Sequence, residues 1–161
     1  MNLSKIIECI YSAVKRMDVP MGNNPTSKQK TNLQNLLAEE LGENILSSSA
    51  HIEYSFSSEY RDRCDVFVST PTYQIIVELD ATRADQVAKK MLSRYYFAQM
   101  SSEKKPTVYV CLLYPGTESM NPQECVKYMH MGKEVFLAMN SSNRFIGGFI
   151  NGNTVEWKDI G

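Results

Sequence analysis

The stretch TVYVCLLY, Thr107 to Tyr114, runs through its whole length without the polar alternation of a strand that has one wet face. A strand of this kind is buried on both sides, so the sheet holding it must be covered by helices on both faces. That requirement points to an α/β architecture, and the rest of the chain supplies suitable pieces.

Leu3, Ile6, Ile7, Ile10, Tyr11, Val14 and Met17 recur at three- and four-residue steps and predict a first amphipathic helix. Pro20, Gly22 and Pro25 break it. Thr26 or Ser27 then caps a second helix with Leu33, Leu36, Leu37 and Leu41 on one stripe, expected to end near Gly42. Glu39 and Glu40 fall in its last turn, an unfavourable place for acid charge beside the negative end of the helix dipole.

Three strands are predicted next, at His51 to Phe56, Cys64 to Ser69 and Tyr73 to Asp80, arranged as an antiparallel meander. Arg83 to about Met100 follows as a long helix, with Ala84, Val87, Ala88, Met91, Leu92, Tyr95 and Ala98 on one face and Thr82 and Asp85 spaced as a capping box. Asn121 and Pro122 open a short helix after the buried strand. Glu134 to Met139, EVFLAM, reads as another strand, and Asn151 and Gly152 as the centre of a type I′ turn in a terminal hairpin. Gly147 and Gly148 mark a bulge or a close backbone approach.

With 161 residues the chain is long enough for a single domain that buries roughly 70% of its unfolded surface. No window approaches the ~18 apolar residues of a membrane span, and the N-terminal segment lacks the apolar core of a signal peptide, so a cytoplasmic protein without a membrane partner is expected. The four cysteines, Cys9, Cys64, Cys111 and Cys125, show no paired spacing and the two histidines lie at no zinc-ligand distance from them, which predicts reduced structural thiols. A net charge of −1 gives no global attraction to nucleic acid, so any such binding rests on a local patch.

Chemistry concentrates around Tyr73 to Lys90. Side chains alternate on a strand, so Glu78 and Asp80 share a face while Val77 and Leu79 take the other. Antiparallel pairing with the preceding strand brings Asp65 to the same end. Three converging carboxylates repel one another unless a hard cation with oxygen ligands, Mg²⁺ or Mn²⁺, sits among them. On the next helix Arg83, Gln86, Lys90 and Arg94 recur at three- and four-residue steps, with Lys89 on the adjoining edge, as a stripe able to hold phosphate. Arg61 and Arg63 extend that positive rim. Asp62 and Glu59 are expected to pair with these loop arginines. Tyr95, Tyr96 and Phe97 read as packing residues.

The order helix, three-strand meander, long helix, strand, with Asp65, Glu78 and Gln86 at those places, resembles the PD-(D/E)XK nuclease superfamily, the restriction-endonuclease-like fold. The resemblance covers about residues 27 to 114, leaving an N-terminal helix and a C-terminal helix plus strands appended to one domain. It implies a mixed central sheet of about five strands flanked by helices and a metal-dependent endonuclease hydrolysing DNA. It further implies Asp65 and Glu78 as metal ligands, Glu40 as the additional acid of the early helix, and a homodimer or partner protein for reaching both strands. The family's lysine position holds Asp80. Three readings of that departure stand: Lys89 or Lys90 reaches back from the helix, Asp80 serves as a further ligand or base, or the scaffold binds nucleic acid or a partner protein without cutting.

Overall fold

In the computed structural model the Thr107–Tyr114 run is strand β4, and each of its residues is buried. The structure describes residues 1–46, 48–60, 62–100, 104–116 and 121–161. The elements before β4 are α1 (Leu3–Lys15), α2 (Ser27–Asn44), β1 (Ser49–Ser55), β2 (Arg63–Ser69), β3 (Gln74–Ala81) and α3 (Ala84–Met100); after it come α4 (Pro122–Met139), β5 (Arg144–Asn151) and β6 (Thr154–Ile160).

The six strands form one mixed sheet in sequence order, β1-β2-β3-β4-β5-β6. β3, β4 and β5 run parallel, with α3 and α4 as the crossovers, while β2 and β6 run antiparallel to their neighbours. Helices cover both faces. Ile6, Ile10, Leu33 and Leu37 of α1 and α2 pack with Val66, Val77, Val108 and Ile146. Val87, Met91, Met129 and Phe136 of α3 and α4 pack with Ile76, Tyr109 and Phe145. The fold is therefore the expected α/β arrangement of a mixed central sheet flanked by helices, with six strands rather than about five. The order α2, β1, β2, β3, α3, β4 is the one anticipated for residues 27 to 114. Among the described residues no helix is long and apolar enough to cross a membrane.

Local differences have physical causes. EVFLAM is not a strand: it is the last part of α4, because Cys125, Met129, Gly132 and Phe136 recur at helical spacing and are all buried, and this pattern continues through the run. α2 continues past Gly42 to Asn44; a Cβ on that glycine would stand 3.3 Å from the Cβ of Ala50, so it marks close packing of β1 rather than a helix end. In the terminal hairpin Asn151 pairs with Thr154, which leaves Gly152 and Asn153 as the turn centre. The left-handed φ falls on Gly152 at +62°, so the turn sits one residue later than Asn151 and Gly152 predict. The bulge at Gly147 and Gly148 is present.

Candidate functional site

β2 and β3 pair from Ser69 and Gln74 as far as Val66 and Val77. The next partners in that register would be Asp65 and Glu78. There the Asp65 side chain takes over from the ladder: its Oδ2 accepts the Leu79 backbone N–H at 2.7 Å. Its Oδ1 accepts Gln34 Nε2 of α2, also at 2.7 Å, and the same amide nitrogen donates to Glu53 Oε1 at 2.7 Å. β1 pairs with β2 through Ile52 and Val66 and through Tyr54 and Cys64, passing over Glu53, which has φ +48°. Glu53, Asp65 and Glu78 thus form a row of acids across three strands.

On the far side of the row, α3 supplies cations. Glu78 is 2% exposed. Its Oε1 accepts Arg94 Nε at 2.7 Å, and Lys90 Nζ lies 3.3 Å from Oε2 and 2.9 Å from Asp80 Oδ2. The Arg94 guanidinium also pairs with buried Asp62, whose carboxylate accepts the Ser93 hydroxyl. Burial pushes the Asp65 carboxyl above its ordinary value against the opposing pull of the Leu79 N–H, Lys90 and Gln34. Burial, then the neighbouring Asp65, hold the Glu78 carboxyl well above the usual range. Burial works against the Lys90 ammonium, yet the charge of Glu78 and the charge and hydrogen bond of Asp80 outweigh it and raise its pKa. Cys111, opposite Glu78 in the β3 and β4 register, has its thiol pushed up by burial and by that carboxylate, so it is an inert packing group.

The structure brings Asp65 and Glu78 together, and Lys90 with Glu78 and Asp80. It does not bring Lys89, which is exposed on α3, one residue off the inward line through Gln86, Lys90 and Arg94. Nor does it bring Glu40, whose Oε1 accepts Arg16 of α1 at 2.6 Å while Glu39 takes the same guanidinium at 2.9 Å. The acid turn that looked misplaced at the end of α2 is an anchor for α1. Arg94 leaves the expected phosphate stripe because it turns inward to Glu78 and Asp62, and Lys90 leaves it for Glu78 and Asp80. Asp62, expected to pair with loop arginines, pairs with a helix arginine.

Arg83 remains exposed, 3.4 Å from Asp85, and Arg63 is exposed at the start of β2. Gln86 donates to Asp85 at 2.6 Å and lines a small cleft with Glu78, Asp80 and Lys90. That cleft leaves about 10 Å³, roughly the room of one water-sized species. Arg61 lies outside the described residues. Among the described residues no group of three or more His, Cys, Asp and Glu side chains is gathered around one point, so the four-acid set of Asp65, Glu78, Asp80 and Glu40 is not assembled.

Four contributors were given no place in the site from sequence: Gln34, Glu53, Ser93 and Asp62, the last expected only in a loop ion pair. Gln34 carried a readable signal, since it sits beside Leu33 and three residues before Leu37 on the inward stripe and is buried. The other three sit in patterns shared with solvated residues.

No family model and no curated protein matches the chain. Among solved structures, the chain is similar to SfsA of Pyrococcus furiosus in complex with Ca²⁺, at a TM-score of 0.39 and 12% identity, over 81% of this chain and 63% of that one. The chain thus spans less than two thirds of that protein, and a likeness this slight assigns neither activity nor ligand.

Proposed function

We propose that the chain is a divalent-metal-dependent nuclease that hydrolyses DNA phosphodiester bonds, with Asp65 and Glu78 holding Mg²⁺ or Mn²⁺ and Lys90 acting beside them. The observation that carries this reading is the Lys90 ammonium, 2.9 Å from Asp80 and 3.3 Å from Glu78. In the resemblance a lysine belongs at position 80; here an aspartate stands there and holds a lysine delivered from the helix, so the same charge reaches the same place by another route.

The donor set suits a hard cation. Mg²⁺ binds through one or two carboxylates and keeps several waters, so two adjacent acids suffice where three do not converge. Asp65 and Glu78 are buried neighbours whose carboxyls are both held above their ordinary values, which a cation would relieve. Glu53, Asp62, Asp65, Glu78 and Asp80 also outnumber Lys90 and Arg94, leaving the cluster short of positive charge. When bound, the ion supplies charge neutralisation and a water of lowered pKa.

The chain's own residues prepare the site. The Leu79 N–H and Gln34 fix both oxygens of Asp65, and Arg94, itself braced on Asp62, fixes Glu78. Lys90 would donate to a non-bridging phosphate oxygen or to an attacking water, stabilising charge that develops in the transition state. Exposed Arg63, Arg83 and Lys89 are the available contacts for the DNA backbone.

Calorimetric titration of Mn²⁺ into wild type, Asp65→Ala and Glu78→Ala, with plasmid nicking followed in the same samples, tests this. Binding and nicking in wild type that both disappear in the two variants are expected. Nicking that persists in Glu78→Ala, or wild-type protein that neither binds Mn²⁺ nor nicks, would contradict it.

One observation favours a second reading, a nuclease-like module that binds nucleic acid or a partner protein without cutting. Both oxygens of Asp65 and both of Glu78 already interact with N–H groups of the protein itself. In that case Glu78→Gln leaves DNA binding unchanged or stronger, and no nicking is seen at millimolar ion.

A further inference from the structure

Glu53 is a residue that the proposed chemistry does not use, yet the chain holds it in a costly conformation. Its φ of +48° lies in the left-handed region that a glutamate seldom adopts, and it does so inside a strand. Such strain persists only where the surroundings impose it, and it gathers at working sites. The excursion falls at the position across from Asp65, between the pairs Ile52 with Val66 and Tyr54 with Cys64.

What the excursion achieves is visible in the hydrogen bonds. The Gln34 amide nitrogen has two hydrogens, and its two partners are Glu53 Oε1 and Asp65 Oδ1, each at 2.7 Å. Gln34 is 5% exposed. An amide offers nearly the same shape at its donor and acceptor ends, so Asp65 alone would hold the donor end only while it carries its full charge. A cation bound to Asp65 weakens that hold. Glu53, which belongs to a different strand and stays at the exposed edge, keeps the NH₂ end directed at Asp65 in either state.

We infer that Glu53 is a positioning residue: its carboxylate, presented by the left-handed backbone, anchors the Gln34 amide on Asp65 and so fixes the carboxylate that would receive the divalent ion. For its functional meaning the inference rests on the metal reading above. Its structural content is independent of that reading.

Two variants separate the anchor from the strain and from the charge. Glu53→Gly accepts the φ without strain and removes the carboxylate; Glu53→Gln keeps an acceptor oxygen of the same reach and removes only the charge. The Gln34 side-chain NH₂ group is followed by ¹⁵N NMR without metal, since each of its hydrogens has its own acceptor. The anchor predicts two slowly exchanging protons in wild type and Glu53→Gln, and a shifted, faster-exchanging NH₂ in Glu53→Gly. An NH₂ group in Glu53→Gly with wild-type shifts and exchange overturns it, because the amide is then held without Glu53. In calorimetry with Mn²⁺, Glu53→Gly is expected to bind about 10- to 100-fold more weakly than wild type and to unfold at the same temperature or higher, with Glu53→Gln within a few-fold of wild type. An unchanged Mn²⁺ affinity in Glu53→Gly overturns the inference equally. Wild-type protein that gives no Mn²⁺ heat removes the metal reading instead, and the Gln34 amide resonances still decide the anchor.

Discussion

Glu78 is almost fully buried, has an acid for a neighbour and is approached by two cations, and its balance sets how the protein responds to pH. Asp65 and Glu78 have folded-state pKa values above their ordinary ones. Their contribution to stability is therefore fully present below the unfolded values, 3.8 and 4.5, and is lost as pH rises through the folded values. Lys90 is raised too, but its loss begins only above its ordinary 10.5, outside this window. Thermal unfolding temperature is thus expected to fall as pH rises from 4.5 towards neutrality, and to fall less in Glu78→Gln. A flat profile shared by both proteins would contradict this. Mn²⁺ binding should run the other way, tightening with pH as the ion displaces protons from the same carboxyls. At this scale the sequence was informative where alternation decided the matter: Glu78 and Asp80 lie on one face as read, and Asp65 lies beside Glu78. It was silent where reach decided it. Lys89 and Lys90 are equal neighbours in a list of residues, and only the rotation of α3 makes one a partner of Asp80 and leaves the other in solvent. Glu53 was invisible because nothing about a glutamate announces a left-handed backbone.

Strands and helices were legible wherever a hydrophobic period was long, as in α1, α3 and β4, and misread where the stretch was short and apolar. EVFLAM fits a strand taken alone, but the helix beginning at Pro122 carries its period across it and buries Phe136. The close approach signalled by paired glycines was also legible, and it makes a prediction that belongs to the β5 and β6 hairpin. A Cβ on Gly148 would stand 2.9 Å from the Trp157 ring, 3.0 Å from Val155 and 3.1 Å from the Glu156 carbonyl oxygen. Backbone cannot give way as a side-chain end can, so Gly148→Ala should lose about 1–3 kcal/mol of stability in urea unfolding. Gly22→Ala, with nothing within 4 Å, serves as the control and should change stability by no more than about 0.5 kcal/mol. Equal effects would mean that the hairpin does not pack as described.

For the whole molecule, layer order was dictated by the doubly buried β4, and the site lies where β2 and β3 part, with α2 reaching it from one face of the sheet and α3 from the other. The expected basic face is smaller than the sequence suggested, because Lys90 and Arg94 are turned into the acid row. DNA binding should accordingly be weak and salt-dependent, with Arg63→Glu lowering the slope of log affinity against log salt by about 1 or more. Arg94→Glu is different in kind: it leaves Glu78 and Asp62 buried beside a third acid and should cost about 3–5 kcal/mol of stability, read by chemical unfolding. If Arg94→Glu alters only DNA affinity, the inward pairing is wrong.

In the proposed metal site the helix lysine Lys90, held by Asp80 at the strand position, acts beside the acids. The most direct measurement is the single-turnover rate of plasmid nicking with Mn²⁺ for wild type, Lys89→Met and Lys90→Met, with thermal unfolding recorded to confirm that each folds. Lys90→Met should nick about 10²–10³-fold more slowly, the usual loss when one preorganised donor is removed, and Lys89→Met should match wild type. Nicking by Lys90→Met at the wild-type rate, or an equal loss in both variants, would contradict this role of Lys90.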